Sequence, residues 1–340
     1  MDKAVLGFAV LKQWRLKMKK MWFVFLGMMA VASFAFGQEK DYPNRPVKIF
    51  VPLTAGSGTD SSARFFAHQL AEIFDQSFVV ENRTGASGII GGAAVKSAPA
   101  DGYTIFLGTI TPLGLNQITM KGPFPYDSIK DLKPLSGLTR GMSAFVVPPN
   151  SKLKTLADLV ATAKTAKQPP NVGTYSTAYQ LSLNWFASLV GAKFESVPYR
   201  GAAPIFTDLM ANQLDWAILD LGGVAPLLKS GRLRVIAVTG ETRNPEFPDI
   251  PTVKESGYPE YVNYLWTSFF VRTETPDDVT NKLANVLQKI LASNEAKEYV
   301  KKVGGGELMP YTPAVMRKAQ LDEIERYRRI ANASGFKPQE

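Results

Sequence analysis

Cysteine is absent from this 340-residue sequence, and histidine occurs only once, as His68. Without cysteine, the chain has no disulfide bonds, thiol nucleophiles, cysteine-ligated metals or lipoprotein anchor on cysteine. With one histidine, it also lacks a cluster of imidazoles that could bind a transition metal. We therefore expect no metal site and no cofactor.

A strong excess of one charge is also lacking once the N-terminal segment is set aside. The whole chain has 39 basic and 30 acidic side chains, and residues 1–37 hold six of the basic and one of the acidic ones. The remaining 33 and 29 give a net charge of +4. A mild excess spread over a long chain is not the basic patch typical of nucleic-acid binding. We expect no nucleic-acid partner.

Long apolar runs are missing everywhere except near the N-terminus. There the basic RLKMKK precedes MWFVFLGMMAVASFAF, and the small residues Ala35 and Gly37 follow at positions −3 and −1 of a cleavage site. This pattern predicts a Sec signal peptide over residues 1–37, cleaved after Gly37. A membrane anchor is the alternative, but the apolar run is shorter than the roughly 20 residues of a spanning helix. We expect the mature chain in the periplasm.

From residue 47 onward, short β-rich runs alternate with helical segments. VKIFVPL (47–53) predicts a strand, for example, and the helix after it is expected over 60–75. Such alternation favours an α/β fold with parallel-dominated sheets covered by helices. A helix over 155–165 is expected to begin with Thr155 as N-cap and Asp158 three residues later.

Two chain crossings are expected, near 137–144 and near 240–245. A chain that leaves one lobe midway and returns to it forms a two-lobed protein with a hinge. We predict that lobe 1 comprises residues 42–141 and 244–340, that lobe 2 comprises 142–243, and that a ligand cleft lies between them.

The stretch VPLTAGSGTDSSARFFAHQL (51–70) places a Gly/Ser turn between a strand and a helix. A nucleophile elbow needs glycine two residues before and after its serine, but Ser57 has Ala55 and Thr59 at those positions. A phosphate-binding P-loop needs a lysine directly after its last glycine, and none follows Gly58. With His68 expected on the exposed helix face, no base is available either, and we predict no catalytic residue.

Backbone N–H groups are what this turn can offer to a ligand. Its glycines allow close approach, and the start of a helix carries a partial positive charge. Asp60 is expected to cap the helix through the amides of Ser62 and Ala63, which leaves the amides of residues 56–59 for an anion. An ordinary tight strand-to-helix turn is the alternative interpretation.

Similar segments recur at other strand ends. GASG (85–88) follows the next strand, and GTIT (108–111) ends the third with two hydroxyls. In the second half of the chain, GTYST (173–177) and PYRGAAP (198–204) have matching places. Since the carboxyl ends of parallel strands share one edge of a sheet, these loops are expected to form one anion-binding crevice.

Several longer segments occur together in a characteristic order, namely YPNRPVKIFVP, GSGTD, VVENRTGASGIIGG, APADGYTIFLGT, PYDSIKDLKPL, PYRGAAP and GRLRVIAVTGETRNPEFPDIPTVKESG. Over nearly all of residues 42–336, the chain resembles the substrate-binding proteins of tripartite tricarboxylate transporters, the Bug family. The resemblance implies a type II-like periplasmic binding protein whose two lobes close around a small carboxylate without catalysis. It also implies a monomeric receptor that delivers this solute to a tripartite membrane permease.

The resemblance implies that the loops Gly56–Asp60 and Gly85–Gly88 grip the ligand. Ser57 stands where the family usually has glycine, and Leu53 begins a segment that usually has an aromatic lid. With the strand ends described above, the candidate ligand-binding residues are Leu53, Gly56, Ser57, Gly58, Thr59, Asp60, Gly85, Ala86, Ser87, Gly88, Thr109, Thr111, Tyr175, Ser176, Thr177, Arg200, Gly201 and Asp220.

Some of these side chains have two interpretations. Tyr175 and Tyr179 either line the cleft, which favours an acid with an aromatic or apolar body, or lie on the lobe surface. Arg200 either pairs with a second carboxylate or lies at the rim. Asp220 either binds hydroxyl or amino groups of the ligand or caps the following helix. Trp266 is expected in the core.

The expected ligand is a di- or tricarboxylate or an aromatic acid. One alternative function is a sensor that presents the acid to a membrane signalling protein. Another is an exported enzyme acting on carboxylic acids, which the missing nucleophile–base pair disfavours.

Overall fold

The computed structural model describes residues 42–303, 306–334, 336 and 338. The architecture below is that of the compact unit formed by residues 45–340. The predicted signal peptide over residues 1–37 lies outside the described residues. The strands are β1 (Val47–Val51), β2 (Phe78–Asn82), β3 (Thr104–Thr109), β4 (Leu132–Val147), β5 (Asn171–Thr174), β6 (Glu195–Pro198), β7 (Trp216–Asp220), β8 (Arg234–Val238), β9 (Tyr264–Arg272) and β10 (Gly306–Leu308).

The helices lie between these strands and after them. They are α1 (Gly58–Phe74), α2 (Ile89–Ser97), α3 (Asn116–Thr119), α4 (Leu156–Thr165), α5 (Thr177–Val190), α6 (Ala202–Met210), α7 (Leu221–Lys229), α8 (Asp277–Ala292), α9 (Asn294–Val303) and α10 (Pro313–Ala333). A wider helical turn over Thr111–Leu115 leads into α3. Within the described part of the chain, no helix is both long enough and apolar enough to cross a membrane.

The strands form one mixed sheet in the order β2-β1-β3-β9-β4-β7-β5-β6, and β8 and β10 also pair with β4. Parallel pairing joins β1 to β2 and β3 on one flank, and β5 to β6 and β7 on the other. The pairs made by β4 and β9 are antiparallel. The predicted two-lobed α/β fold is confirmed, with parallel pairing confined to the two flanks and an antiparallel centre.

Strand β4 belongs to both halves of the sheet. Its first part, residues 132–142, pairs with β9, and residues 143–147 pair with β7 and β8. The chain therefore passes from one half to the other within a single 16-residue strand. In this region the sequence predicts a strand only over SAFVVPP (143–149).

The first part of β4 was missed because of its composition. Proline and glycine usually mark strand ends or bulges, and this part contains Pro134, Gly137 and Gly141. In the structure the register of β4 against β9 shifts between Pro134 and Ser136 and again just after Gly137. A Cβ atom at Gly137 would lie 2.6 Å from the carbonyl oxygen of Met309. The glycine allows a neighbouring segment to approach the strand closely.

Buried aromatic side chains organise the half that contains β5 to β8. Phe145 stacks on Trp216 with ring centroids 4.8 Å apart and meets Phe186 edge-on at 4.9 Å. Val253 and Tyr261 pack in the same cluster. The segment before β9 thus packs with this half, which favours a lobe boundary closer to β9 than residue 244. The predicted boundaries themselves stay a prediction.

Helix α4 begins as the sequence predicts. The amide of Asp158 donates to Thr155 Oγ1 at 3.1 Å, and the amide of Thr155 donates to Asp158 Oδ2 at 2.9 Å. These reciprocal bonds form a capping box, which supplies partners to amides that a helix start otherwise leaves free.

Replacing Thr155 by alanine should lower the free energy of unfolding by about 1 kcal/mol, because one half of this capping box is lost. Urea denaturation followed by circular dichroism measures the difference. Thr162→Ala is the matched control, since Thr162 is exposed in the same helix and its hydroxyl makes no hydrogen bond among the described residues. An equal loss in both variants would show that the cap contributes nothing.

Candidate functional site

The loop between β1 and α1 leaves two helix amides without a partner. Ser57 is the N-cap of α1, and its Oγ accepts a hydrogen bond from the Asp60 amide at 3.2 Å. The Ser57 amide donates to the Thr54 carbonyl, also at 3.2 Å. Among the described residues, nothing accepts a hydrogen bond from the N–H groups of Gly58 and Thr59. Both groups stand at the positive end of the helix dipole.

Asp60 lies behind this loop and holds it in place. Its carboxylate accepts bonds from the Gly56 amide at 3.0 Å and from the Arg64 guanidinium at 3.0 and 3.1 Å. The side-chain amide of Asn82, at the end of β2, donates to it at 2.9 Å. Asp60 is only 3% exposed. One buried carboxylate thus joins the loop, the helix and the neighbouring strand.

The prediction that Asp60 caps α1 through the amides of Ser62 and Ala63 is wrong. Since the cap is Ser57, Asp60 is the third residue of the helix, and a carboxylate at that position reaches back toward the preceding loop. It takes up the N–H group of Gly56. Fewer free amides therefore remain in this loop than the sequence predicts.

The charge of Asp60 is stabilised by its partners. Burial is the largest single influence and by itself raises the pKa of the carboxyl. The bonds from Arg64, Gly56 and Asn82 together outweigh burial and hold the pKa of Asp60 below its ordinary value of 3.8. Asp60 is therefore ionised at neutral pH.

The loop between β2 and α2 has an unusual backbone. Gly85, Ala86, Ser87 and Gly88 all have positive φ, at 122°, 46°, 52° and 88°. For residues with a side chain, the left-handed region costs about 1–2 kcal/mol each, and such strain clusters at functional sites. Among the described residues, the N–H groups of Ala86 and Ser87 have no acceptor. Successive free N–H groups in a turn form concave anion sites.

Neighbouring elements hold the strained turn. The side-chain amide of Asn116 donates to the Ser87 carbonyl at 3.1 Å, and Asn116 is buried. A Cβ atom at Gly88 would lie 3.0 Å from Cβ of Pro52 and 3.1 Å from Cβ of Pro112. Gly88 therefore needs to be glycine both for its positive φ and for the close approach of the two prolines.

Both loops line the same cavity of about 870 Å³. Parallel pairing of β1 with β2 and β3 places the carboxyl ends of these strands side by side, as the sequence analysis expected. The predicted residues that line the cavity are Leu53, Gly56, Ser57, Gly58, Thr59, Gly85, Ala86, Ser87, Gly88, Thr109, Thr111, Tyr175, Ser176, Arg200 and Asp220.

Three predicted residues, Asp60, Thr177 and Gly201, do not line the cavity. Asp60 is buried behind the first loop. Thr177 Oγ1 donates to Ser87 Oγ at 3.5 Å, and a Cβ atom at Gly201 would lie 3.6 Å from Thr54 Oγ1. Thr177 therefore lies against the loop between β2 and α2, and Gly201 lies near the loop between β1 and α1. The two halves of the sheet meet at these contacts.

Tyr175 and Tyr179 lie in the cavity wall as a pair. Their ring centroids are 4.8 Å apart, and their hydroxyls are 3.2 Å apart. The Tyr175 hydroxyl donates to Asp220 Oδ2 at 3.0 Å. Burial above all, and then the charge of Asp220, raises the pKa of both tyrosines well above the ordinary value. Both phenols therefore stay protonated at physiological pH.

The interpretation of Asp220 as a helix cap is confirmed, and its binding of ligand groups stays a prediction. Its Oδ1 accepts a bond from the Gly223 amide at 2.6 Å, which makes Asp220 the N-cap of α7. The same carboxylate lines the cavity.

Within the described part of the chain, three cationic side chains line the cavity, and they differ in their surroundings. Arg200 is exposed, so it lies toward solvent as well as toward the cavity. Lys302 is also exposed. Arg140 is bound to Glu307 at 2.9 and 2.7 Å and lies over the ring of Tyr264. Burial lowers the pKa of Arg140, but the bond to Glu307 outweighs it and raises that pKa above its ordinary value.

Sequence reasoning missed the cavity residues contributed by the first part of β4 and by α9, such as Arg140 and Tyr299. The Tyr299 ring stacks on Phe65 with centroids 4.3 Å apart, which fixes α9 against α1. The sequence does contain a pattern that predicts α9, because apolar residues recur there at helical spacing. The lysines between them and the glycine run after them make this pattern weak. Trp266 lies in the core as expected, at 6% exposure, and also reaches the cavity.

Among the described residues, those that line the cavity include no histidine. The His68 side chain is 71% exposed and lies 3.9 Å from Glu72, which confirms it as a surface residue. In the described part of the chain, no group of three or more histidine, cysteine or acidic residues could hold a metal ion. Loops that offer amides and hydroxyls to a partly enclosed cavity suit the binding of a small anion.

Comparison with known proteins identifies the family. The family model described as the tripartite tricarboxylate transporter family receptor matches residues 62–336. Protein BugT of Bordetella pertussis is 31% identical over 315 residues, which cover 91% of this chain and 95% of BugT. The chain belongs to this receptor family, as the sequence motifs indicated.

Solved structures agree with this assignment. R. palustris Rpa4515, solved with adipate, has a TM-score of 0.84 at 30% sequence identity. The match covers 88% of this chain and 100% of the Rpa4515 chain. The periplasmic binding protein BugD has a TM-score of 0.80 at 26% identity, with coverage of 88% and 100%. The receptors of this family are periplasmic and bind substrates without converting them, so the chain is a solute-binding protein and not an enzyme.

Asp60→Asn should lower the free energy of unfolding at pH 7 by about 1–3 kcal/mol, because charged hydrogen bonds to Arg64 and Gly56 are lost in a buried site. The depressed pKa of Asp60 stabilises the fold above the unfolded value, and this contribution is lost as the pH falls through the folded pKa. The difference between wild type and variant should therefore shrink below about pH 4.

Urea titrations at pH 7, 5 and 3 measure this difference. Glu72→Gln removes the same charge from the exposed face of the same helix and should change the free energy of unfolding little at any pH. A difference between wild type and Asp60→Asn that does not depend on pH would contradict the assignment of the stabilising charge to Asp60.

Proposed function

We propose that this chain captures a small organic carboxylate in the described cavity and delivers it to the membrane subunits of a tripartite tricarboxylate transporter. The observation that carries the proposal is the set of unpartnered amides, those of Gly58, Thr59, Ala86 and Ser87, in two loops that line one cavity. Backbone N–H groups at a helix start and in a concave turn suit an anion. The adipate bound to the similar Rpa4515 supports a carboxylate.

Neutral donors dominate the proposed carboxylate site. Beside the four amides, Thr109 and Thr111 line the cavity at the end of β3 and just after it. A carboxylate held by amides and hydroxyls leaves no buried cation behind when it departs, and an uncompensated buried charge would be strongly destabilising. Such a site suits repeated capture and release.

The other walls indicate the body of the ligand. Tyr175, Tyr179 and Trp266 offer aromatic surface against which a ring or an alkyl chain packs. We propose that Arg200, which is exposed and also lines the cavity, pairs with a second carboxylate of the ligand. We therefore propose a di- or tricarboxylate or an aromatic acid as the ligand class.

Closure of the two lobes around the ligand is the proposed mechanism. Ser87 and Thr177 already meet at 3.5 Å, and the loops that carry them belong to opposite halves of the sheet. A ligand that contacts both halves stabilises the closed form because only that form offers all of its contacts. We propose a hinge at the middle of β4 and in the chain between β8 and β9.

The working form of the receptor is also part of the proposal. We propose that residues 1–37 are removed after Gly37 during export and that the mature receptor acts as a monomer in the periplasm. The family's periplasmic receptors support this location.

Isothermal titration calorimetry tests the function and the site together. A thermal-shift screen of aliphatic and aromatic acids should identify a ligand, which wild type is then expected to bind with a Kd near 1 μM, about −8 kcal/mol. Gly58→Val should abolish detectable binding, because its side chain fills the space above the helix amides, while Gly58→Ala weakens it. A Cβ atom at Gly58 lies 3.4 Å from Asp220 Oδ1, so alanine fits.

The neutral methyl ester or amide of the same acid is the control ligand and should not bind. Urea denaturation should show that both Gly58 variants fold cooperatively. Unchanged affinity in Gly58→Val would refute the site, and wild type that binds no acid in the screen would refute the function.

A double variant, Ser87→Cys with Thr177→Cys, tests lobe closure. The two side-chain oxygens are 3.5 Å apart, so the two side chains face each other across the halves of the sheet. The sequence has no other cysteine to compete. The oxidised protein should release its ligand at least about tenfold more slowly than the reduced protein, because release requires the lobes to separate.

Stopped-flow fluorescence of the tryptophans, one of which is Trp266 in the cavity wall, measures the release rate. The single variants Ser87→Cys and Thr177→Cys are the controls and should respond little to oxidation. Equal release rates from the oxidised and reduced double variant would show that exit needs no opening.

A further inference from the structure

Asp220 is the one acidic residue among the described residues that line the cavity. Its position is fixed from two sides, by the Gly223 amide at 2.6 Å on Oδ1 and by the Tyr175 hydroxyl at 3.0 Å on Oδ2. A carboxylate has about four acceptor sites in all. Each oxygen of Asp220 therefore keeps acceptor capacity for a ligand.

This carboxylate faces the helix start that we propose as the anion site. A Cβ atom built on Gly58 would lie 3.4 Å from Asp220 Oδ1, so the acid approaches the start of α1 from the opposite half of the sheet. A ligand carboxylate on the amides of Gly58 and Thr59 would lie beside a second negative charge. In a partly enclosed cavity, two such charges repel strongly unless a hydrogen-bond donor stands between them.

Among the described residues, the two phenols beside Asp220 are already engaged with each other or with its carboxylate. The proton of the Tyr175 hydroxyl already goes to Asp220 Oδ2, and the Tyr179 hydroxyl lies against that of Tyr175. Of the cations that reach the cavity, Arg140 is bound to Glu307, and Arg200 and Lys302 are exposed to solvent. A donor on the ligand itself would relieve the repulsion beside Asp220.

We propose that Asp220 selects carboxylates that carry a hydroxyl or an ammonium group on the carbon next to the carboxylate. The ligand carboxylate binds the amides of Gly58 and Thr59, and the neighbouring donor binds Asp220. Because Asp220 lies close to Gly58, the donor of the ligand has to lie close to the carboxylate that binds there. This inference rests on the proposed function and narrows its ligand class.

Calorimetry with matched acids tests the selection. The probes are succinate against malate and aspartate, adipate against 2-hydroxyadipate and 2-aminoadipate, and phenylacetate against mandelate and phenylglycine. In the series that wild type binds, the acid with the donor should bind roughly 10- to 100-fold more tightly than its plain analogue, as expected for a hydrogen bond to a charged group. In Asp220→Asn this ratio should fall to within about threefold.

Asparagine keeps the shape of the side chain and still caps a helix, so the variant is expected to fold. Asp215→Asn is the matched control, since Asp215 also accepts a backbone amide, that of Asn171 at 2.7 Å, but is exposed and lies outside the cavity. It should keep the wild-type ratio.

Each outcome separates the inference from the function on which it rests. Equal binding of plain and substituted acids by wild type overturns the role of Asp220 and leaves the proposed carboxylate receptor intact. Tighter binding of both acids by Asp220→Asn shows that Asp220 only repels anions, which also overturns the inference. If neither wild type nor Asp215→Asn binds any acid, the proposed function fails and the inference with it.

Discussion

The buried carboxylate of Asp60 is the interaction on which the site depends. It binds the Gly56 amide, the Arg64 guanidinium and the Asn82 side chain, and so ties the first loop to α1 and β2. With the loop fixed in this way, the first two N–H groups of α1 point to no partner among the described residues. The charge of Asp60 thus stabilises the loop from behind, and the neutral N–H groups of the loop remain available to a ligand.

The second loop reaches a similar result by different means. It has no buried charge of its own, and its backbone is held in the left-handed region by Asn116 and by two prolines. The strain is local, and the contacts around it are buried. Two unrelated local solutions thus present free amides to one cavity, because parallel strands end at a common edge.

How much the sequence predicts depends on how local each feature is. The capping box at Thr155, the Gly/Ser loops and the alternation of strands and helices are set by neighbours within a few residues, and the sequence analysis recovered them. The hydrogen-bond partners of Asp60 could not be predicted, because they depend on which residue caps α1 and on Asn82 in the neighbouring strand β2. The first part of β4 and the cavity residue Arg140 depend on pairing with β9, more than 120 residues away in the chain.

The shared strand β4 also limits how the molecule can be divided. Residues 132–142 complete the sheet of one half and residues 143–147 that of the other, within one continuous strand. A cut anywhere in this strand leaves each fragment with an open sheet edge, and exposed edges invite association with other chains. The halves are therefore not separate modules to be expressed or exchanged singly. Hybrid receptors with altered ligands need to be built by replacing loops on an intact sheet.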